Sequence, residues 1–321
     1  MEGQPAVAVV IPSWNCLDDL AECVRSVRGD GFTDAELLVV DNGSTDGTAA
    51  YLEREGIRHL ALPANVGFAR AINLGVASTT SPLIMLLNAD TLLEPGCLAR
   101  LHEAIHGDPG LGGVQPLILQ LNGGERRQPD DPAAIVYSLG QALTADGRGR
   151  EVGAGAPRSS AIPHRREIFG VCGAACLLRR DVLAGLGGFD ERYFAFCEDV
   201  DLNVRARAAG WRFRLQPDAV VWHRGGGAWS AGFARPQAEN ARLVARNRLA
   251  TQIKFMPARA IPRVAATEIG ALVRAAAERR LGSTLLGKLE ALRWLPALLR
   301  ERRELRRCGD LRLVRAWLGR G

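Results

Sequence analysis

Leu83-Ile84-Met85-Leu86-Leu87-Asn88-Ala89-Asp90 runs from five wholly apolar residues into a polar turn that ends on an acid. An apolar run of that length reads as a strand covered on both faces, the kind found inside a parallel sheet. Upstream, Val7 to Ile11 forms another short apolar run before a Pro-Ser turn, and Leu17, Leu20, Ala21, Val24 and Val27 then recur at helical spacing. Glu36 to Val40 reads as a strand ending in Asp41, followed by a Gly/Ser/Thr loop and a helix around Thr48 to Glu55. Ile57 to Leu62 gives a further strand and Phe68 to Ala77 a further helix. Alternating strands and helices predict a doubly wound, Rossmann-like α/β domain with a mostly parallel central sheet and flanking helices, whose ligands bind where the strands end. Asp41 and Asp90 both follow strands directly.

Downstream of this unit, residues 122 to 168 are rich in Gly, Pro, Ser and charge, as in Gly123-Gly124 and Gln128-Pro129-Asp130-Asp131-Pro132. They read as a long mobile excursion, a candidate lid. Patterning resumes with the apolar run Val171 to Leu178, a helix from Arg180, a Gly187-Gly188-Phe189-Asp190 turn and a helix after Glu198. Arg212 to Leu215 and Ala219 to Trp222 read as two strands, and beyond residue 240 the chain turns helical and Arg-rich. The expected organisation is a domain over 1–240, with a donor half at about 1–120 and an acceptor half at about 165–240, plus a basic helical extension over 241–321.

The chain has 321 residues, 47% hydrophobic and 24% charged, enough to bury a full core. Residues 1 to 15 lack the basic and apolar regions of a secretory signal, so none is expected. Arginines interrupt every long apolar segment after residue 240, which argues against a membrane-spanning helix. The seven cysteines contain no CxxC pair and suit reduced thiols in a cytoplasmic setting. Cys172 and Cys176 read as buried thiols on one strand. Residues 241 to 321 carry 19 Lys and Arg against 6 Asp and Glu, so the chain has a basic tail behind an acidic front.

The first strand ends in Pro12-Ser13-Trp14-Asn15 rather than a Gly-x-Gly-x-x-Gly turn, and no Gly-x-x-x-x-Gly-Lys-Ser/Thr loop follows, which disfavours hydride transfer and an ATPase cradle. In Asp41-Asn42-Gly43-Ser44-Thr45-Asp46, Asp41 can accept the imide N–H of a uracil or thymine, while Asp46 reads as a helix cap. Asn88-Ala89-Asp90 brings a hard oxygen ligand to where a divalent ion would bridge two phosphates. Glu198-Asp199-Val200-Asp201 sets acids at a helix start behind Tyr193, Phe194 and Phe196, where a desolvated carboxylate gains basicity. The same acids also suit the helix dipole, and Val204 and Gly210 occupy positions that a calcium hand gives to Gly and Glu. His223 closes a strand beside the basic, glycine-rich Arg224-Gly225-Gly226-Gly227, where a ligand role and a structural role weigh equally.

Taken in order, Val9 to Asn15, Asp41 to Thr48, Asn65-x-Gly67-Phe68-Ala69-Arg70-Ala71-Ile72-Asn73, Leu86 to Thr91, Gly187 to Asp201 and Trp222-His223 resemble glycosyltransferase family 2, especially its bacterial rhamnosyltransferase-like members. That resemblance implies a GT-A fold, a dTDP- or UDP-sugar donor, Mg2+ or Mn2+ and inversion at the anomeric carbon. It implies that Pro12, Trp14, Asp41, Asn65, Gly67, Arg70, Asn88 and Asp90 line the donor site. Asp90 and His223 would hold the metal, Asp199 would be the catalytic base, and Glu198 and Asp201 would lie on the acceptor side. Many relatives carry two acids where this chain has Asn88-Ala89-Asp90, so metal binding here leans on His223 and the diphosphate. The expected acceptor is a saccharide or lipid-linked saccharide in bacterial cell-surface polysaccharide synthesis. The basic tail is expected either to touch an anionic membrane from the cytoplasmic side or to self-pack as an oligomerising domain; aromatic residues are too sparse there for nucleic acid. A nucleotidyltransferase of related fold and an inactive sugar-binding subunit are the competing expectations.

Overall fold

The computed structural model describes residues 4–121, 127–162, 166–224 and 237–319. Its centre is a ten-stranded mixed sheet. Strands β1 (Val7–Ser13), β2 (Ala35–Asp41), β3 (His59–Ala61) and β4 (Leu83–Leu87) lie in the order β3-β2-β1-β4, all parallel. Their connections carry α1 (Leu17–Arg28), α2 (Thr48–Arg54) and α3 (Phe68–Ala77). Alternation along the central strands divides the core in two. Val7, Val9, Ile11, Leu83, Met85 and Leu87 join one buried cluster, while Ala8, Val10, Ile84 and Leu86 join the other. Each cluster removes apolar surface from water on one face, which is why β4 needs no polar residue. Helix α3 lies close on the sheet because Gly75 has no side chain: a Cβ there would come within 2.5 Å of Val10 Cγ1 and 2.8 Å of Val40 Cγ2.

The sheet continues through β5 (Thr91–Leu93), β6 (Leu111–Gln120) after helix α4 (Cys97–His106), and β7 (Val136–Ser138), which pairs with β6. Strands β8 (Gln141–Leu143) and β9 (Gly149–Glu151) form a separate hairpin, followed by the short helix α5 (Arg158–Ala161) and β10 (Glu167–Ile168). The described part of the mobile excursion expected over 122–168 holds paired strands, with Gln141 N donating to the Gly170 carbonyl at 2.8 Å. Gly123-Gly124 lie outside the described residues.

Strand β11 (Ala175–Arg179) runs antiparallel between β4 and β6, and α6 (Arg180–Leu186) follows it. Cys172 falls ahead of this strand, so only Cys176 of the two expected strand thiols lies on it; all seven cysteines are free. After a single 3-10 turn (Glu191–Tyr193) comes α7 (Glu198–Ala208). The two strands expected between 212 and 222 are one, β12 (Arg212–His223), with a register shift between Gln216 and Val220. Pro217 in that gap has no N–H to give a ladder, which interrupts the pattern without ending the strand.

The C-terminal part consists of α8 (Gln237–Phe255), α9 (Ile261–Ala277), α10 (Leu281–Arg293), α11 (Leu295–Cys308) and α12 (Leu311–Arg315). The boundary expected at residue 240 falls inside α8, and this helix is built into the domain. Lys254 on α8 is buried against Asp201 of α7 at 2.6 Å, with Asp190 at 3.4 Å and Glu301 of α11 at 3.0 Å. Among the described residues no helix is long and apolar enough to cross a membrane.

Candidate active site

The loops after β1 and β2 are tied into one unit. Asn42 N donates to the Ser13 carbonyl at 2.8 Å, Asn15 N to Ser44 Oγ at 3.0 Å, and Thr45 N to Asn15 Oδ1 at 2.7 Å. Asn15 sits at φ +50, a conformation that Asn tolerates better than most residues. Asp41 is buried at the strand end and accepts from Ser44 N at 3.0 Å. The Asn42 side chain extends the unit: its amide donates to Asn65 Oδ1 at 3.1 Å and its oxygen accepts from Val66 N at 2.9 Å, while Gly67 N donates to Asn65 Oδ1 at 2.9 Å. Pro12, Trp14, Asp41, Asn65 and Gly67 are thus gathered at the carboxyl ends of β1 and β2 and the start of α3. Arg70 follows one turn beyond Gly67. It is exposed on α3, with its guanidinium 3.7 Å from Glu191. The N-cap expected at Asp46 is Gly47 instead, and Asp46, one residue ahead of it, accepts from Thr48 N at 3.2 Å and, across the loop, from Leu17 N at 2.9 Å.

Asp90 and His223 meet because β5 doubles back along β12, with His223 opposite Thr91. The turn between β4 and β5 is closed by Asn88, whose carbonyl accepts from Thr91 N and Oγ1 at 3.2 and 2.6 Å. His223 Nε2 lies 3.1 Å from Asp90 Oδ1, and both residues are 3% exposed. Tyr137 packs edge-on against the imidazole at 4.3 Å. His223 Nδ1 has no hydrogen-bond partner among the described residues. Of the glycine-rich basic loop, Arg224 is ion-paired to Asp19 and Glu22 of α1, and Gly225 to Gly227 lie outside the described residues.

Asp199 is half-buried at the start of α7. Its Oδ2 accepts from Gly173 N at 3.0 Å and from Gln141 Nε2 at 2.7 Å, and its Oδ1 accepts from Val200 N at 2.8 Å. Burial pushes its carboxyl above the ordinary range, against the pull of these donors. Neighbouring Glu198 is buried and pushed up to about 8, first by desolvation and then by the charge on Asp199. Asp201, expected on the acceptor side, faces away from the cleft. It is fully buried, bonded to Arg205 at 2.6 Å and Lys254 at 2.6 Å, because two helical positions turn a side chain by about 200°, to the opposite face of the helix.

The loop that delivers Asp199 carries three departures from ordinary backbone within four residues, with φ of +61 at Phe194, +72 at Phe196 and +64 at Cys197. Such conformations cost about 1 to 3 kcal/mol each and persist where neighbours enforce them. Asn247 of α8 does so, its amide lying within 2.8 Å of the carbonyls of Tyr193, Ala195 and Phe196.

Tyr137, Gln141, Glu151 and Asn247 carry no motif and were not singled out in the sequence. Gln141 Nε2 donates to Glu151 Oε1 at 3.1 Å as well as to Asp199, and the Ser138 hydroxyl donates to the other Glu151 oxygen. Burial, then the charge on Asp199, pushes Glu151 up to about 7. Tyr137 links the two halves of the site: burial, then Cys172, Glu151, Asp90 and Asp199, raise its phenol. A cavity of about 390 Å3 lies elsewhere, bounded by Gly187, Asp190, Arg205, Lys254 and Glu301, whose charges satisfy one another.

Residues 8–186 match the family model described as Glycosyl transferase family 2. The chain is 31% identical over 201 residues, 58% of its length, to an N-acetylglucosaminyl-diphospho-decaprenol L-rhamnosyltransferase of Mycobacterium tuberculosis. It is 32% identical over 226 residues, 68% of its length, to a pre-mycofactocin glycosyltransferase of the same organism. These matches span 66% and 42% of the relatives' own lengths, under two thirds of each. Among solved structures, GalNAc-T7 with UDP, GalNAc and Mn2+ superposes with a TM-score of 0.64 at 15% identity, over 92% of this chain and 56% of that one. The likeness extends to the whole layout: a mixed, mostly parallel sheet between helices, with a C-terminal helical region.

Proposed function

Because the chain belongs to glycosyl transferase family 2 and has the GT-A fold, we propose that it is an inverting transferase that moves a sugar from a dTDP- or UDP-linked donor to a hydroxyl of a saccharide or lipid-linked saccharide. L-Rhamnose is the leading donor sugar, on the likeness to the mycobacterial rhamnosyltransferase. The reading is carried by the nearness of Tyr137 both to the Asp90–His223 pair and to Asp199.

Asp41, at the end of β2, is assigned to the imide N–H of a pyrimidine base, with Pro12, Trp14, Asn65 and Gly67 shaping the surrounding pocket and Asn88 bordering the diphosphate. Asp199 takes the proton of the acceptor hydroxyl, its raised basicity matched to that task. The hydroxyl then attacks the anomeric carbon opposite the departing diphosphate, and one displacement inverts it. Within the acidic motif neither Glu198, 7% exposed, nor Asp201, 0% exposed, is open enough to serve as the nucleophile of a double displacement. The pairing of a carboxylate oxygen with an imidazole, whose other nitrogen has no partner among the described residues, fits Mn2+ or Mg2+ held by Asp90 and His223. When bound, such an ion supplies charge neutralisation for the leaving diphosphate.

Thermal unfolding in the presence of dTDP-L-rhamnose, UDP-glucose, UDP-N-acetylglucosamine and GDP-mannose, each with and without Mn2+, tests the donor assignment. A pyrimidine-linked sugar at about 100 times its Kd is expected to stabilise by roughly 2.7 kcal/mol, raising Tm by several degrees only when the ion is present. Protection by GDP-mannose alone, or protection indifferent to Mn2+, would contradict it.

The extension is proposed to rest on an anionic membrane surface, which would bring the site to a lipid-linked acceptor. Among the described residues every exposed large hydrophobic lies at Val244 or later, with Ile261, Ile269, Val273 and Leu289 more than half exposed amid the basic residues of α9 to α11. Each well-placed Lys or Arg adds up to about 1 kcal/mol at such a surface. Co-sedimentation should be strong with vesicles containing phosphatidylglycerol and should fall with added salt; equal binding to pure phosphatidylcholine, or none to either, would reject the assignment.

A further inference from the structure

Resting on the assignment of Asp199 as base, we propose that Gln141 is a positioning residue for that base, fixing the direction of its carboxylate and the pH at which it acts. The side chain reaches Asp199 from a hairpin outside the acidic motif, across 58 residues of chain. Its amide hydrogens are both committed: Nε2 donates to Asp199 Oδ2 at 2.7 Å and to Glu151 Oε1 at 3.1 Å. Its oxygen accepts from Asn203 Nδ2 at 2.8 Å, which settles which way the amide faces. Asn203 is itself immobilised, fully buried on α7 and bonded through its own amide to both Val171 N and Val171 O, at 3.1 and 2.8 Å. Asn203, Gln141 and Asp199 therefore form one chain in which every donor and acceptor is assigned.

This arrangement has an electrostatic consequence. Two carboxylates share one amide, and two adjacent negative charges in a half-buried site repel. Asp199 receives two backbone N–H groups besides Gln141, whereas Glu151 receives the Ser138 hydroxyl and the Cys172 thiol, so the donors favour the charge on Asp199 and a proton on Glu151. Among the described residues the other titratable groups that feel Asp199 are Tyr137 from β7, Cys172 ahead of β11, Cys176 within β11, and Cys197 and Glu198 at the start of its own helix; none of these is a cation. Arg248 of α8 acts on Cys197 next door. Gln141 is thus the side-chain donor that holds the ionised base.

Replacing Gln141 with Met keeps length and removes the donor. Replacing it with Glu keeps shape and adds a third carboxylate. With water as the acceptor, release of nucleoside diphosphate from dTDP-L-rhamnose is followed from pH 5 to 9. A carboxylate that loses a donor is protonated more easily, so in Gln141→Met the acid limb of kcat should move up by about one pH unit. At pH 6.5 kcat should fall roughly 10- to 100-fold with the donor KM unchanged. Gln141→Glu should move the limb further in the same direction. Both variants should keep the Tm rise given by donor and Mn2+, which shows that they are folded. An acid limb that stays in place in both variants while Asp199→Asn is inactive overturns the role of Gln141 alone. Normal turnover by Asp199→Asn overturns the base assignment and this proposal with it.

Discussion

Asp199→Asn is expected to lower sugar transfer by roughly 1,000-fold while leaving donor binding intact, since general-base catalysis contributes about 100- to 10,000-fold. The substitution keeps the shape of the side chain and removes its ability to accept a proton. The surrounding groups make it informative as well as damaging: Gly173 N, Val200 N and Gln141 Nε2 are all donors, so an amide nitrogen at this position must turn away from at least one of them. The check is the rate of nucleoside diphosphate release at saturating donor, paired with the Tm rise given by donor and Mn2+. Glu198 is the alternative base within one residue, yet it is buried, one of its oxygens finds no partner among the described residues, and burial alone holds its carboxyl above the ordinary range. Wild-type turnover in Asp199→Asn would therefore move the chemistry off α7 altogether.

Lys254→Met is expected to cost about 3 to 5 kcal/mol, the usual loss when one partner of a buried ion pair is removed. The ammonium lies between Asp201, Asp190 and Glu301, and removing it leaves three acids gathered around Arg192 and Arg205 alone. For a chain of this size Tm should fall by about 10 °C. Arg312→Ala, which breaks an exposed pair with Asp310, serves as the control and should leave Tm unchanged. A small shift for Lys254→Met would mean that α8 is docked by its apolar contacts and that the ion network adds little.

The donor half was legible because its signals are local. β4 and α3 occupy the residues that the apolar run and the helical spacing indicate, Leu83–Leu87 and Phe68–Ala77, and each strand-end acid is announced by the strand before it. Local patterning does not show the pairing of distant segments, and only the family resemblance implies that His223 joins Asp90. His223 meets Asp90 across 133 residues, through a three-residue strand, β5, too short to leave a pattern. Strands β7 to β9 are equally short and surrounded by Gly and Pro, so a region that places Tyr137, Gln141 and Glu151 at the site reads as irregular chain. The acids of the Glu198-Asp199-Val200-Asp201 motif look equivalent in sequence. Helical geometry separates them, sending Asp199 toward the cleft and Asp201 into the ion network with α8.

Gly170 shows how far the control of this site spreads from its chemistry. Its carbonyl pairs with Gln141 N, and a Cβ added to it would overlap the Asn203 amide. A single methyl there would push on Asn203, and through Gln141 the displacement would reach the carboxylate of Asp199. Loss of activity in a Gly170 variant would then look like a damaged base although every polar group is still encoded. Mutant libraries meant to broaden acceptor range should keep this position invariant and spend their diversity on the rim.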